Sequence, residues 1–166
     1  PWILRERVRT HGDRPYLDVP GESLLLTYAE TLEAAERIAG GLLDGGEPGD
    51  RVLLMSPNRS EVVLSWFGAA LAGMVEVPIN TAYSGSFLEH QVRTTAPRTA
   101  VVHPDFAARF TPRSEPYASL ERFFVLDAGG RDEAIAALRD GGYDARPYAD
   151  LASHAPGETP EVRAQD

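Results

Sequence analysis

Four polar side chains follow the proline that ends an apolar run in the middle of the chain. They are Asn80, Thr81, Tyr83 and Ser84. An amide, two aliphatic hydroxyls and a phenol can donate and accept hydrogen bonds to a bound molecule. Because α/β proteins bind ligands beyond the carboxyl ends of their strands, we predict that these residues lie where a ligand can bind.

The side chains on which many other enzymes depend are missing or scattered. The chain has no cysteine, and its 16 basic residues are all arginine, which excludes thiolate metal sites, a phosphate-clamping lysine and a Schiff-base lysine. His11, His103 and His154 are far apart in sequence, and His90 is typical of a solvated or packed histidine. No G-x-S-x-G or G-x-G-x-x-G pattern occurs. We therefore predict no catalytic residue, no metal site and no cofactor bound by these residues.

Composition and charge restrict the classes of partner. The formal net charge is −9, and the arginines are interspersed with acids, whereas nucleic-acid binding requires clustered cations. No apolar run approaches the roughly 20 residues of a membrane helix. We expect a cytoplasmic protein without nucleic acid as a partner.

Strand and helix signals alternate from residue 50 to about residue 150. Apolar runs of strand length lie at 52–55, 74–77, 99–102 and 123–126. Segments with helical spacing separate several of these runs, and this order is typical of an α/β domain with a largely parallel sheet flanked by helices. We assign residues 1–150 to a partial N-terminal α/β subdomain and residues 151–166, which are polar and rich in proline, to a linker.

Two helix starts are predicted from capping patterns. Thr27 with Glu30 forms a capping box, in which each side chain accepts from a free backbone N–H at the helix start. Asn58 with Glu61 predicts a second start. The apolar stripe that this second helix is expected to bury consists of Val63, Trp66, Phe67, Ala70 and Leu71.

Two segments together resemble the N-terminal part of the adenylate-forming (AMP-binding) enzymes. The sequence "LTYAETL", Leu26 to Leu32, is similar to the first core motif of that family. The sequence "LAGMVEVPIN", Leu71 to Asn80, is similar to the second motif, and the segment between them matches in order and spacing. The "PIN" ending with a later "FLEH" resembles the acyl- and aryl-CoA synthetase branch.

The resemblance implies a reaction and also implies that part of the machinery lies elsewhere. In this family, ATP and a carboxylic acid form an acyl-adenylate, and a thiol such as CoA then displaces AMP. A Ser/Thr/Gly-rich phosphate loop and a lysine from a later domain support the first step, and neither is found here. The chain is therefore expected to be a truncated scaffold, inactive alone, whose linker leads toward the missing phosphate loop. The resemblance implies ATP, Mg and CoA for the intact enzyme. It also implies that the intact enzyme has a passage for the acyl group or pantetheine, which we expect to be lined by Asn80, Thr81, Tyr83 and Ser84.

Two alternatives remain open at the level of sequence. The chain is also compatible with an adenylation domain that loads a carrier protein, and with a non-catalytic α/β interaction module. The expected partners are the remainder of its own enzyme and, for the isolated chain, a second copy.

Overall fold

The computed structural model describes residues 2–156, 159 and 160. The chain divides into two compact units. The first unit contains Pro1–Gly49, Asn58–Met74 and Leu151–Asp166, and the second contains Asp50–Pro57 and Val75–Asp150.

The first unit consists of helices and a β-hairpin. Its elements are α1 (Trp2–His11), β1 (Pro15–Val19), β2 (Leu24–Thr27), α2 (Tyr28–Leu43) and α3 (Ser60–Leu71). β1 and β2 pair antiparallel across a 3₁₀ turn, Pro20–Glu22. The predicted capping box at the start of α2 is confirmed, because Glu30 N donates to Thr27 Oγ1 at 3.2 Å and Thr27 N donates to Glu30 Oε2 at 2.8 Å.

The predicted cap of α3 is wrong. The N-cap residue is Arg59, which makes no side-chain cap hydrogen bond. The carboxylate of Glu22 serves this helix start instead, accepting from Ser60 N at 3.3 Å and from Ser60 Oγ at 2.5 Å. Arg59 also forms an ion pair with Glu61 at 2.9 Å. The acceptor thus comes from a residue 38 positions earlier in the chain.

Apart from Leu71, the buried residues of α3 are small, so the predicted burial of Trp66 is also wrong. Gly68 lies against α2 so closely that a Cβ there would be 2.5 Å from Ile38 Cγ2. The close approach of the two helices leaves room for small side chains at this face and turns the indole away, with Trp66 55% exposed. Phe67 is half-buried rather than in the core.

The start of the predicted linker is ordered in this unit. Helix α7 (Tyr148–Ala152) crosses the predicted boundary at residue 150, and Leu151 is fully buried. A Cβ at Gly41 would lie 2.5 Å from the Leu151 carbonyl oxygen, so Gly41 permits this contact. Residues 157, 158 and 161–166 of the predicted linker lie outside the described residues.

The second unit is built on a five-stranded sheet in which every neighbouring pair is parallel. The strands are β3 (Arg51–Met55), β4 (Val75–Pro78), β5 (Thr99–Val102), β6 (Arg122–Val125) and β7 (Asp144–Pro147), in the order β4-β3-β5-β6-β7. The helices of this unit are α4 (Ser86–Thr95), α5 (Pro104–Ala107) and α6 (Arg131–Asp140). The predicted α/β class with a largely parallel sheet flanked by helices is confirmed.

The core of the second unit lies on one face of the sheet, between the strands and α4, α5 and α6. Alternate residues of the central strands point into it. Its largest fully buried side chains include Leu53, Met55, Leu88, Phe110, Phe123 and Leu138. Three T-shaped ring pairs connect Phe110 with Tyr117, Phe110 with Phe123, and Phe123 with Tyr143. Such ring pairs each stabilise a core by about 0.5–1.5 kcal/mol beyond the area they bury.

Within the described part of the chain, no helix is long and apolar enough to span a bilayer. The same residues contain no group of three or more His, Asp or Glu side chains placed to hold a metal ion.

Candidate functional site at the end of strand β4

The predicted residues Asn80, Thr81, Tyr83 and Ser84 lie together in one turn directly after β4. Ile79 N donates to Leu54 O at 2.8 Å, so the chain follows the sheet up to the residue before this turn. Tyr83 N then donates to Asn80 O at 2.9 Å, and Ala82 N donates to Asn80 Oδ1 at 2.9 Å. Asn80 therefore holds the turn through its backbone and through its side chain. We call residues 80–84 the 80–84 loop.

The loop presents most of its polar groups to solvent. Asn80, Tyr83 and Ser84 are exposed, and Thr81 is half-buried. The Tyr83 ring stacks on Phe87 in the first turn of α4, with 6.1 Å between ring centroids and 28° between planes. Phe87 is 71% exposed. These side chains can bind and orient a molecule with polar and apolar parts, and no acid–base pair accompanies them in the loop.

Gly85 fixes how the chain leaves the loop and enters α4. Its φ is +52° and its ψ is −135°, a conformation that only glycine adopts readily. Glu89 N donates to Gly85 O at 3.0 Å, which is the first bond of the helix. A side chain at this position would strain the connection, although no atom lies within 4 Å of an added Cβ.

Arg109, which follows the 80–84 loop in the sequence, holds the loop through two hydrogen bonds. Its Nη1 donates to Thr81 O at 2.6 Å and to Tyr83 O at 2.8 Å. The guanidinium carbon lies 4.5 Å from the centre of the Phe106 ring. Sequence reasoning missed Arg109, because nothing in the segment around it points to a loop 26 residues earlier.

Glu76, on β4 before the loop, is a partly buried carboxylate that the sequence analysis did not single out. Its Oε2 is buried and has no hydrogen-bond partner among the described residues. Burial raises the pKa of Glu76 from 4.5 to about 7, because a charged carboxylate is poorly solvated there. The signal available in the sequence was a glutamate in an otherwise apolar strand.

His103 has a structural role at the same edge of the sheet. His103 N donates to Met55 O at 2.9 Å, and Nδ1 accepts from Asp105 N at 3.3 Å, so the ring caps the short helix α5. The other histidines singled out in the sequence are not part of the 80–84 loop.

Comparison with protein families identifies the relatives of this chain. The family model described as AMP-binding enzyme matches residues 4–161. The chain is a member of the AMP-binding enzyme family. The sequence-based assignment, which rested on the segments 26–32 and 71–80, is thereby confirmed.

The curated relatives of this chain include CoA ligases for aromatic and aliphatic acids. It is 30% identical to benzoate–CoA ligase of Thauera aromatica over 132 residues, which are 78% of the chain and 24% of that protein. It is 31% identical to long-chain-fatty-acid–CoA ligase FadD13 of Mycobacterium tuberculosis over 128 residues, which are 76% of the chain and 22% of that protein. The chain therefore spans a quarter or less of the length of these relatives.

The fold agrees with solved members of the family. The structure matches the inhibitor-bound N-terminal domain of FACL13 from Mycobacterium tuberculosis with a TM-score of 0.76 and 24% identity, covering 98% of the chain and 37% of that domain. Nearly all of this chain thus corresponds to part of a larger N-terminal domain.

Proposed function

We propose that this member of the AMP-binding enzyme family is the N-terminal scaffold of an ATP-dependent carboxylic acid–CoA ligase. The observation that carries the proposal is the family match over residues 4–161 in a chain that spans 24% and 22% of two CoA ligases. The intact enzyme joins a carboxylate to AMP with release of pyrophosphate. The thiol of CoA then attacks the acyl carbonyl, the thioester bond forms, and AMP leaves.

We infer that the triphosphate site of the intact enzyme is built mainly by residues outside this chain. A triphosphate requires a backbone nest and cations near the developing charge, and the chain has no lysine and no Ser/Thr/Gly-rich phosphate loop. ATP, Mg and the adenylation step are therefore assigned to the remainder of the enzyme. We expect no adenylation by these 166 residues alone.

The contribution of this chain is to place the 80–84 loop along the passage for the acyl group or pantetheine. Its exposed amide, hydroxyl and phenol groups suit a molecule that has amides and an aliphatic stem. The loop follows the carboxyl end of β4, and α/β folds bind ligands outside the carboxyl ends of their strands.

A bulky residue in the loop tests this role in the full-length ligase. Ser84→Tyr is expected to raise the KM for CoA about tenfold, equivalent to about 1.4 kcal/mol of lost transition-state binding, and to slow adenylation less. Ser114→Tyr is a matched control, since Ser114 is also an exposed loop serine of the same unit. Equal KM values for both variants and the parent would contradict the assignment of the loop.

The partner of the first unit is proposed to be the remainder of the same enzyme. Four rings form a continuous aromatic row, with centroid distances of 4.3 Å from Tyr16 to Tyr28, 6.2 Å from Tyr16 to Phe67 and 6.4 Å from Phe67 to Trp66. Tyr16 is 41% and Trp66 55% exposed. Tyrosine and tryptophan are typical of buried interfaces, and most of the length of the relatives lies outside this chain.

The isolated chain is expected to cover the aromatic row with a second copy. Light scattering after size-exclusion chromatography should show a mass that rises with concentration, and Trp66→Gln should lower it toward that of the monomer. Phe87→Gln removes a ring of the other unit that is even more exposed than Trp66, and it should change the mass less. A strictly monomeric parent chain over a wide concentration range would contradict this proposal.

The boundary at residue 150 between the subdomain and the linker stays a prediction, and so does the cytoplasmic location.

A further inference from the structure

One cation contacts two backbone carbonyl groups of the 80–84 loop. Arg109 Nη1 carries two N–H groups, and both carbonyl oxygens that it contacts, Thr81 O at 2.6 Å and Tyr83 O at 2.8 Å, belong to the loop. Within the described residues, no carboxylate lies within ion-pair distance of Arg109, so its charge is directed to these carbonyl groups.

The side chain is held in place independently of the loop. Its guanidinium lies over the Phe106 ring at 4.5 Å, an arrangement in which the cation is attracted to the ring face. Phe106 packs against the core of the second unit. The core therefore sets the position of the guanidinium, and the guanidinium holds the loop through its two hydrogen bonds.

The chemistry favours arginine at this position. Charge-assisted hydrogen bonds are shorter and stronger than neutral ones, and a planar guanidinium can stack on a ring while it donates in its own plane. A lysine ammonium is a compact, strongly hydrated charge that cannot reproduce the stacked planar geometry.

We propose that Arg109 is a positioning residue that holds the 80–84 loop in the conformation that serves CoA. This inference rests on the proposed function. Arg109 acts through the carbonyl groups of Thr81 and Tyr83, which fixes the direction of the Tyr83 ring and the side chain of Ser84 relative to the sheet edge.

Amide hydrogen exchange measures directly how strongly Arg109 holds the loop closed. Ala82 N and Tyr83 N both donate within the turn, so their exchange reports opening of the loop. In Arg109→Gln we expect exchange at these two amides to be at least about tenfold faster, because a charge-assisted contact is lost. Arg109→Lys should give an intermediate rate, and exchange in β5 and β6 should not change.

The matched control removes a different arginine of the same unit. Arg93 on α4 pairs with Glu115 at 3.1 Å and contacts no carbonyl of the loop. Arg93→Gln should leave exchange at Ala82 and Tyr83 unchanged. If Arg109→Gln does not fold, Arg109→Lys and Phe106→Leu, which removes the ring beneath the guanidinium, replace it. Unchanged exchange at both amides in these variants overturns the proposal.

Kinetics of the full-length ligase distinguish positioning from simple support of the fold. Arg109→Lys should raise the KM for CoA several-fold and change the rate of adenylation, followed by pyrophosphate exchange, much less. Faster loop exchange with an unchanged KM for CoA overturns the proposal, since the loop would then be held without serving CoA. If the parent enzyme forms no CoA thioester, the proposed function fails, while hydrogen exchange still decides whether Arg109 holds the loop.

Discussion

The partly buried carboxylate of Glu76 makes the stability of this chain depend on pH in a direction that follows from its raised pKa. Burial raises the folded-state pKa from 4.5 to about 7, so folding favours the protonated form. The stabilising contribution is fully present below pH 4.5 and is lost as the pH rises from 4.5 to 7. The wild-type protein should therefore have a lower free energy of unfolding at pH 8 than at pH 5.5.

The magnitude follows from the size of the shift. A shift of about 2.5 pKa units corresponds to about 3.4 kcal/mol at 1.36 kcal/mol per unit. The side chain of Glu76 is only partly buried, and solvent screening reduces the figure to about 1–2 kcal/mol. For a chain of this size, that equals a difference in Tm of several degrees.

Glu76→Gln removes the ionisation and keeps the shape. In urea unfolding followed by circular dichroism from pH 5.5 to 8.5, Glu76→Gln should become more stable than the wild type as the pH rises, by about 1–2 kcal/mol at the upper end. Glu133→Gln, at an exposed glutamate of α6, is the control and should follow the wild-type curve within about 0.5 kcal/mol. A constant difference between Glu76→Gln and the wild type over this range would refute the reasoning.

Three further substitutions test local packing and backbone conformation, one at the exit of the 80–84 loop and two in the first unit, each measured as a change in the free energy of unfolding. Gly85→Ala should cost about 1–3 kcal/mol, because φ is +52° and ψ is −135°; a cost below about 0.5 kcal/mol would show that the loop exit tolerates a side chain. Gly68→Ala should destabilise the protein by about 1–3 kcal/mol through contact with Ile38 Cγ2 at 2.5 Å, and Ile38→Ala should relieve part of that cost in a double-mutant cycle. Additive effects of these two changes would contradict the contact. Thr27→Ala should cost about 1 kcal/mol by removing the capping box of α2, whereas Thr10→Ala, at an exposed position of α1, should cost clearly less.

Elements whose formation depends on residues close together in the sequence were predicted correctly. Thr27 and Glu30 form the expected capping box because the partners are three residues apart. The apolar runs that form β3, β5 and β6 are central strands with mostly buried residues. Their apolar composition could be recognised because a strand covered on both faces needs apolar side chains on both faces. By contrast, β7 was not predicted, because it is a four-residue edge strand in which Ala145 alone is buried between charged neighbours.

Features set by tertiary contacts could not be predicted from local sequence. Helical spacing indicated an apolar stripe containing Trp66, but the close contact between Gly68 and Ile38 determines which side of α3 is buried. The cap of α3 comes from Glu22 in a preceding turn. The four loop residues were found because they follow a strand end, whereas the contact from Arg109 depends on where α5 and the turn after it lie.

The proposed assignment of adenylation to residues outside this chain is tested most directly by ATP–pyrophosphate exchange. The 166-residue chain, supplied with ATP, Mg and a panel of aromatic and aliphatic acids, should show no exchange above background, and the full-length ligase that contains it should exchange and then form a CoA thioester. Exchange by the chain alone, or a full-length protein with no acid-dependent exchange at all, would contradict the account.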